Sequence, residues 1–194
     1  MLNKATIKTI YVFVSILFAI LITFLLSIKY YEDSGSRVSF SLVNQDGVAL
    51  TEKELGGKYL LVFFGFTSCP DICPTELSKM SQVMSQLRTS GKSHLLTPVF
   101  ISVDPERDSP EKIKRYLGYF DEQIVGLTGT RAELKRATQG FNTYFQDAPV
   151  ALDDNYMVTH SSMLYVIDPF SRLIDHVPYG ASVDDIVAQL KSLI

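Results

Sequence analysis

Cysteine is nearly absent from this chain: two residues in 194, Cys69 and Cys73. That excludes a disulfide scaffold, so the fold must stand on a hydrophobic core. A basic excess is missing as well. Lys4, Lys8 and Lys29 account for three of the 18 Lys and Arg; from Tyr30 onward 15 basic residues face 21 acidic ones, a balance of −6. An acidic domain with no basic stripe is a poor nucleic-acid binder. The sequence also has no internal repeat, no low-complexity tract and no long Pro/Gly/Ser linker, which leaves one domain beyond the N-terminal segment.

One stretch lacks charge altogether. Residues 9–28 are mostly Ile, Leu, Val and Phe. About 20 helical residues, rising ~1.5 Å each, span the ~30 Å hydrocarbon core of a bilayer. Lys4 and Lys8 precede the stretch, and Lys29 follows it, soon joined by Glu32 and Asp33. The positive-inside rule therefore places the short N-terminus in the cytoplasm and exports the rest. A cleaved signal peptide would have a shorter apolar core and a small-x-small site, and Leu26-Ser27-Ile28-Lys29-Tyr30 supplies no such site. The expected organisation is a cytoplasmic tip and transmembrane anchor at 1–29, a polar tether at 30–37 and one domain at 38–194. With no transit peptide ahead of the anchor, the expected location is a bacterial inner (cytoplasmic) membrane, with the domain on the periplasmic or outer side.

Within the domain, residues 38–43 and 48–50 read as short strands around a turn at Gln45-Asp46-Gly47. Thr51-Glu52-Lys53-Glu54 has capping-box spacing. Residues 59–66, an unalternated apolar run, fit a central strand covered on both faces. A helix follows the cysteines. Pro74 suits its first position and disfavours the α region at Cys73, so the helix is expected to start no earlier than Pro74. Leu77, Met80, Met84 and Leu87 repeat at helical spacing, and Gly91 is an end signal.

Residues 95–103 read as a second strand. Ser109-Pro110 opens a helix with Ile113, Tyr116, Leu117 and Phe120 on its apolar face, and residues 124–127 form a short strand. Thr130-Arg131-Ala132-Glu133 is a capping box for a helix reaching about Phe141. A polar loop at 147–155 precedes strands at 156–167 and 172–177, joined by an Asp168-Pro169-Phe170-Ser171 turn. Ser182 caps a last helix. This order predicts an α/β sandwich around a mixed sheet. Sites in such sheets lie beyond the carboxyl ends of parallel strands, which makes the Cys69 segment and the Asp104 loop neighbours.

Cys69 and Cys73 stand in a C-x3-C pair, one residue wider than a thioredoxin-type redox centre. At a helix start, the Cys73 thiol is expected to have a lowered pKa. Pro70-Asp71 favours a turn that folds Cys69 back. Two thiolates suit Cu(I) or Zn(II) and suit Mg or Ca poorly. They leave a metal under-coordinated. His94, His160 and His176 are the candidate third ligands, and the residues alone do not rank them. Met80 and Met84 fall on an apolar stripe, so they are core rather than copper thioethers; Met157 and Met163 flank His160, but strand packing explains them equally well. Glu111, Lys112, Lys114 and Arg115 make a solvated helix face.

The run Gly65-Phe66-Thr67-Ser68-Cys69-Pro70-Asp71-Ile72-Cys73-Pro74-Thr75-Glu76-Leu77 resembles the signature of the SCO/SenC family. So do Phe100-Ile101-Ser102-Val103-Asp104-Pro105-Glu106-Arg107-Asp108 and the later Leu127-Thr128-Gly129-Thr130, in the same order. The resemblance runs from about Val38 to the C-terminus. It implies a thioredoxin-like fold with an added β-hairpin, behind a transmembrane helix. It implies copper, as Cu(I) or Cu(II), on Cys69, Cys73 and His160, with Asp104 close by and influencing the site. It implies work on the binuclear copper centre of cytochrome c oxidase, with that copper-site subunit, a copper donor and a thiol reductant as partners. The chain departs from the family pattern at Thr159, where Asp commonly precedes the ligand histidine.

Two functions follow. A metallochaperone would hold copper and pass it to the oxidase subunit. A thiol–disulfide oxidoreductase, with Cys69 and Cys73 catalytic, would keep a partner's cysteines reduced. A peroxidase of related fold would need a separate activating pocket for its cysteine, and a plain Cys69–Cys73 disulfide would close too short a loop to stabilise much.

Overall fold

The computed structural model describes residues 4–33, 37–146 and 156–194, with side chains over 13–27 in the first of these segments. The chain divides into two units, Met1–Gly35 and Ser36–Ile194. The first is one helix, α1 (Lys4–Asp33). Along 13–27 its large apolar side chains, Phe13, Leu17, Phe18 and Phe24 among them, are exposed. The expected anchor coincides with α1. Among the described residues no helix is long and apolar enough to cross a membrane.

The second unit holds β1 (Ser41–Asn44), β2 (Ala49–Thr51), β3 (Tyr59–Gly65), α2 (Ile72–Thr89), β4 (Leu96–Ser102), α3 (Pro110–Leu117), β5 (Val125–Thr128), α4 (Arg131–Gly140), β6 (Leu164–Ile167), β7 (Leu173–Val177) and α5 (Val183–Leu193). The sheet order is β2-β1-β5-β4-β3-β6-β7. β3–β4 and β4–β5 pair in parallel; the flanking pairs are antiparallel. The expected mixed sheet and late hairpin are both present. β3 and β4 lie at the centre, and Leu61, Val62, Phe63, Val99, Phe100 and Ile101 are sealed from solvent. That central placement explains the unalternated apolar run, because both faces of these strands are covered.

Helix ends follow their local chemistry. The Thr130 and Glu133 side chains form the full capping box of α4, and Ser109 and Ser182 accept from backbone N–H groups of α3 and α5. α2 ends in Gly91 at φ +71, with the Lys92 N–H bonded back to the Leu87 carbonyl, which is glycine's role just past a helix end. Thr51 pairs with the Glu54 carboxylate as its spacing suggests, but the segment closes as a turn and no helix follows.

Three expectations are corrected. α2 starts at Ile72, so Cys73 sits inside its first turn. The first N–H groups of a helix have no intrahelical acceptor, so Pro74 is tolerated at the third helical position, and the turn closes with Thr75 N–H on the Asp71 carbonyl at 3.2 Å. The first strand begins at Ser41 and not at Val38, which pairs instead with the Ser171 carbonyl near the hairpin. The strand expected at 156–167 is β6 alone; residues 156–163 run outside the sheet, held by an isolated bridge between Phe145 and His160. The polar loop at 147–155 and residues 34–36 of the tether lie outside the described residues.

Candidate metal centre

The site is built where two parallel strands end. β3 delivers Phe66 and the turn to Cys69, whose N–H donates to the Phe66 carbonyl at 3.3 Å. β4 delivers Ser102, Val103 and Asp104, and Val103 N–H donates to the Gly65 carbonyl at 2.9 Å, locking the two ends together. Cys73 is fully buried in the first turn of α2, and Cys69 is nearly so. Both are free thiols. The Cys73 N–H donates to Cys69 Sγ at 3.5 Å, so Cys69 caps the helix that carries Cys73.

Gly65 makes room for this. A Cβ there would lie 2.8 Å from a Phe100 ring atom and 2.9 Å from Cys73 Sγ. Both neighbours are fully buried, so neither can yield.

Position separates the three histidines. His94 and His176 are exposed, in a 3-10 turn and on β7. The Nε2 of His160 lies 3.8 Å from Cys73 Sγ. Its Nδ1 lies 2.8 Å from the Ser161 carbonyl, which can only accept, so Nδ1 carries the proton and Nε2 keeps its lone pair. Phe63 and Phe66 meet the imidazole edge to face at 6.1 and 5.8 Å. Burial holds the His160 pKa below the ordinary histidine value, which keeps the ring neutral.

The expected lowering of the Cys73 pKa does not occur. Burial pushes the thiol well up, outweighing a hydrogen bond from the Phe66 backbone that favours the thiolate. The helix N-terminus contributes a fraction of a charge, whereas full desolvation acts on the whole thiolate. The metal-free thiol is therefore protonated, and a metal must displace that proton to bind.

The spacing suits a soft ion. With bonds of about 2.3 Å to sulfur and 2.0–2.1 Å to nitrogen, tetrahedral to trigonal angles put S and N about 3.6–3.8 Å apart. The observed 3.8 Å matches the trigonal end of that range. Among the described residues no three His, Cys, Asp or Glu side chains already converge as a closed cage.

Asp104 is buried, but its oxygens are taken by Arg107 Nε at 2.5 Å and the Tyr156 hydroxyl at 2.6 Å rather than by a thiol or the imidazole. The carboxylate that braces the cysteine turn is Asp108. It accepts from Thr67 N–H at 2.8 Å, Thr67 Oγ1 at 2.5 Å and Ser102 Oγ at 2.6 Å, and Lys112 Nζ lies 3.4 Å away. No local pattern in the chain marks this residue. A carboxylate 35 residues beyond Cys73 is ordinary until β4 brings it alongside the turn after β3. Lys112, assigned to a solvated face, likewise reaches back to Ser68 and Asp108. Met157 and Met163 are exposed, so strand packing does not account for them. Thr159 is exposed, and its carbonyl accepts the Gln146 N–H at 2.9 Å.

A family model for SCO1/SenC matches residues 30–194. The chain belongs to the SCO1/SenC family. Among its SCO relatives is the human mitochondrial SCO1 homolog, 39% identical over 151 residues, which are 78% of this chain and 50% of that protein. The chain thus spans about half the length of that curated relative. The crystal structure of yeast Sco1 with copper bound superimposes with a TM-score of 0.76 at 37% identity, covering 80% of this chain and 86% of that one. A second Sco structure, BsSco, is described as carrying a disulfide switch in a member of the Sco family of cytochrome c oxidase assembly proteins. It matches with a TM-score of 0.65 at 26% identity, covering 82% and 94% of the two chains. The thioredoxin-like Sco architecture is therefore shared, and the yeast Sco1 structure holds copper.

Proposed function

We propose that this chain is a copper metallochaperone that carries copper as cargo on Cys69, Cys73 and His160 and delivers it to the binuclear copper centre of cytochrome c oxidase. The observation that carries this reading is the 3.8 Å approach of His160 Nε2 to Cys73 Sγ, with Nδ1 tied to a carbonyl. Thiolate and imidazole donors suit copper in both Cu(I) and Cu(II). A three-donor site leaves room for an acceptor's ligand, so the ion can be shared as it passes. The acceptor would be the copper-site subunit of the oxidase; a copper donor and a thiol reductant complete the set of partners.

The uncharged run at 9–28, within α1, supports a membrane anchor with the N-terminus in the cytoplasm and the domain on the outer side of a bacterial inner membrane. There the surroundings are oxidising, and the thiols must be reduced before they take up metal.

Copper titration of the reduced full-length chain in detergent micelles tests this. The wild type is expected to bind about one copper with thiolate-to-Cu(II) absorption. His160→Ala is expected to weaken binding by about 100-fold or more, since a ligand matters at least as much as the groups around it. Unchanged affinity in that variant removes His160 from the site.

The approach of Cys69 Sγ to the Cys73 N–H at the start of α2 supports a second reading. Cys69 and Cys73 would reduce a partner disulfide, giving up two electrons and two protons and closing a Cys69–Cys73 bond. The high pKa of Cys73 makes it a slow attacking thiol, so Cys69 would attack first. A chain that loads copper yet exchanges no disulfide with a Cys-pair peptide keeps only the delivery role.

A further inference from the structure

We propose that Tyr156 is a positioning residue for His160: with Asp104 and Arg107 it forms a clasp that fixes the histidine segment against the end of β4 and so sets the copper affinity of the centre. The proposal rests on the copper reading above.

Of Cys69, Cys73 and His160, the histidine is held neither by α2 nor by the turn that joins β3 to it. Its segment leaves the sheet at Leu164, and residues 156–163 are otherwise held by a few contacts. On one side the backbone is bridged to Phe145 and Gln146. On the other, Tyr156, four residues ahead of His160, donates its hydroxyl to Asp104 Oδ1 at 2.6 Å. The Arg107 guanidinium lies over the Tyr156 ring, 3.6 Å from its centroid, while its Nε donates to Asp104 Oδ2. One carboxylate thus holds both Tyr156 and Arg107.

The clasp reaches the imidazole by a second route. Arg107 also lies 5.5 Å from the centroid of Phe66, and Phe66 meets the His160 ring edge to face at 5.8 Å. Phe66 belongs to the turn that carries Cys69. The clasp therefore ties three segments from distant parts of the chain: the turn after β3, the loop after β4 and the run into β6. Asp104 is buried, so a phenol donor and a guanidinium are the partners that make its charge tolerable there. The contact is local and charge-assisted, and its loss would free His160 to leave the 3.8 Å approach without unfolding the sheet.

Tyr156→Phe removes the hydroxyl and keeps the ring under Arg107. In full-length chain in detergent micelles, competition with a colorimetric Cu(I) chelator is expected to show about a tenfold loss of affinity, the lower end of the range for groups that orient a metal ligand. In a His160→Ala background the same substitution is expected to change nothing further, because the clasp acts through the imidazole. In the metal-free chain, the ring-current shifts that Phe63 and Phe66 impose on the His160 ring protons are expected to shrink in Tyr156→Phe.

Retained affinity and retained shifts in Tyr156→Phe overturn the clasp while leaving the copper reading standing. An equal loss with and without His160 also overturns it, since that is the mark of a general structural role. A His160→Ala chain that binds copper as tightly as the wild type overturns both.

Discussion

The two sides of the candidate centre are built in opposite ways. Cys69 and Cys73 lie in one short segment, pinned by the parallel β3–β4 pair beneath and by the first turn of α2. His160 comes from a run with almost no regular structure, held by a backbone bridge, two aromatic edges and the Tyr156 clasp. The cysteine side borrows its rigidity from the hydrophobic core. The histidine side is held by polar and aromatic contacts that can be lost singly. Such a division would suit the proposed carrier role, with one fixed half to keep the ion and one half whose hold is adjustable.

If that contrast is right, damage to the cysteine side should cost fold and metal together. Gly65→Ala would push a methyl group into Phe100 and Cys73 Sγ at under 3 Å. Overpacking of this kind is expected to cost about 3 kcal/mol, seen as a lower midpoint in urea, with weaker copper binding beside it. Asp108→Asn should come next. It leaves Thr67 and Ser102 with a poorer acceptor and Lys112 without its counter-charge, and a loss of about 2 kcal/mol is expected in the same titration. A stable Asp108→Asn chain would mean that the strands alone hold the cysteine turn.

The smallest effect distinguishes the two sides by pH. Cys73 has its folded pKa raised by burial, so the folded state holds that proton more tightly than the unfolded chain does. The resulting stability is complete below the unfolded thiol pKa and is lost as pH rises toward the folded one. For the metal-free chain that is about 1 kcal/mol between about pH 8 and pH 9.5. A Cys73→Ser chain should lack this alkaline slope. His160 has the reverse sign: its folded pKa is depressed, so its share of stability is present above the ordinary histidine pKa and is lost as pH falls through it. Urea titrations across both ranges would show the two limbs separately, and an alkaline limb that persists in Cys73→Ser would assign it to another group.

Much of this was legible in the chain itself. Elements whose cause is local were readable: the apolar run that became β3, the capping box at Thr130 and Glu133, the glycine that ends α2. The cysteine pair was legible because both thiols lie within one turn. What misled was also local. Pro74 suggested a later helix start, although any position in the first turn can spare its N–H, and a helix start suggested an acidic thiol because that rule takes no account of burial. Periodicity likewise extended β6 back to Tyr156, since apolar residues that pack at a site look like residues that pack in a sheet.

The sequence by itself determined that two thiols share one short segment after β3, the family and the order of elements, because composition, spacing and short-range rules carry them. Only the tertiary structure decided which histidine faces the thiols, that Asp108 rather than Asp104 braces the cysteine turn, and that Cys73 stays protonated without metal. Those outcomes depend on which distant segments the sheet brings together and on how completely they exclude water, and both are properties of the packed fold.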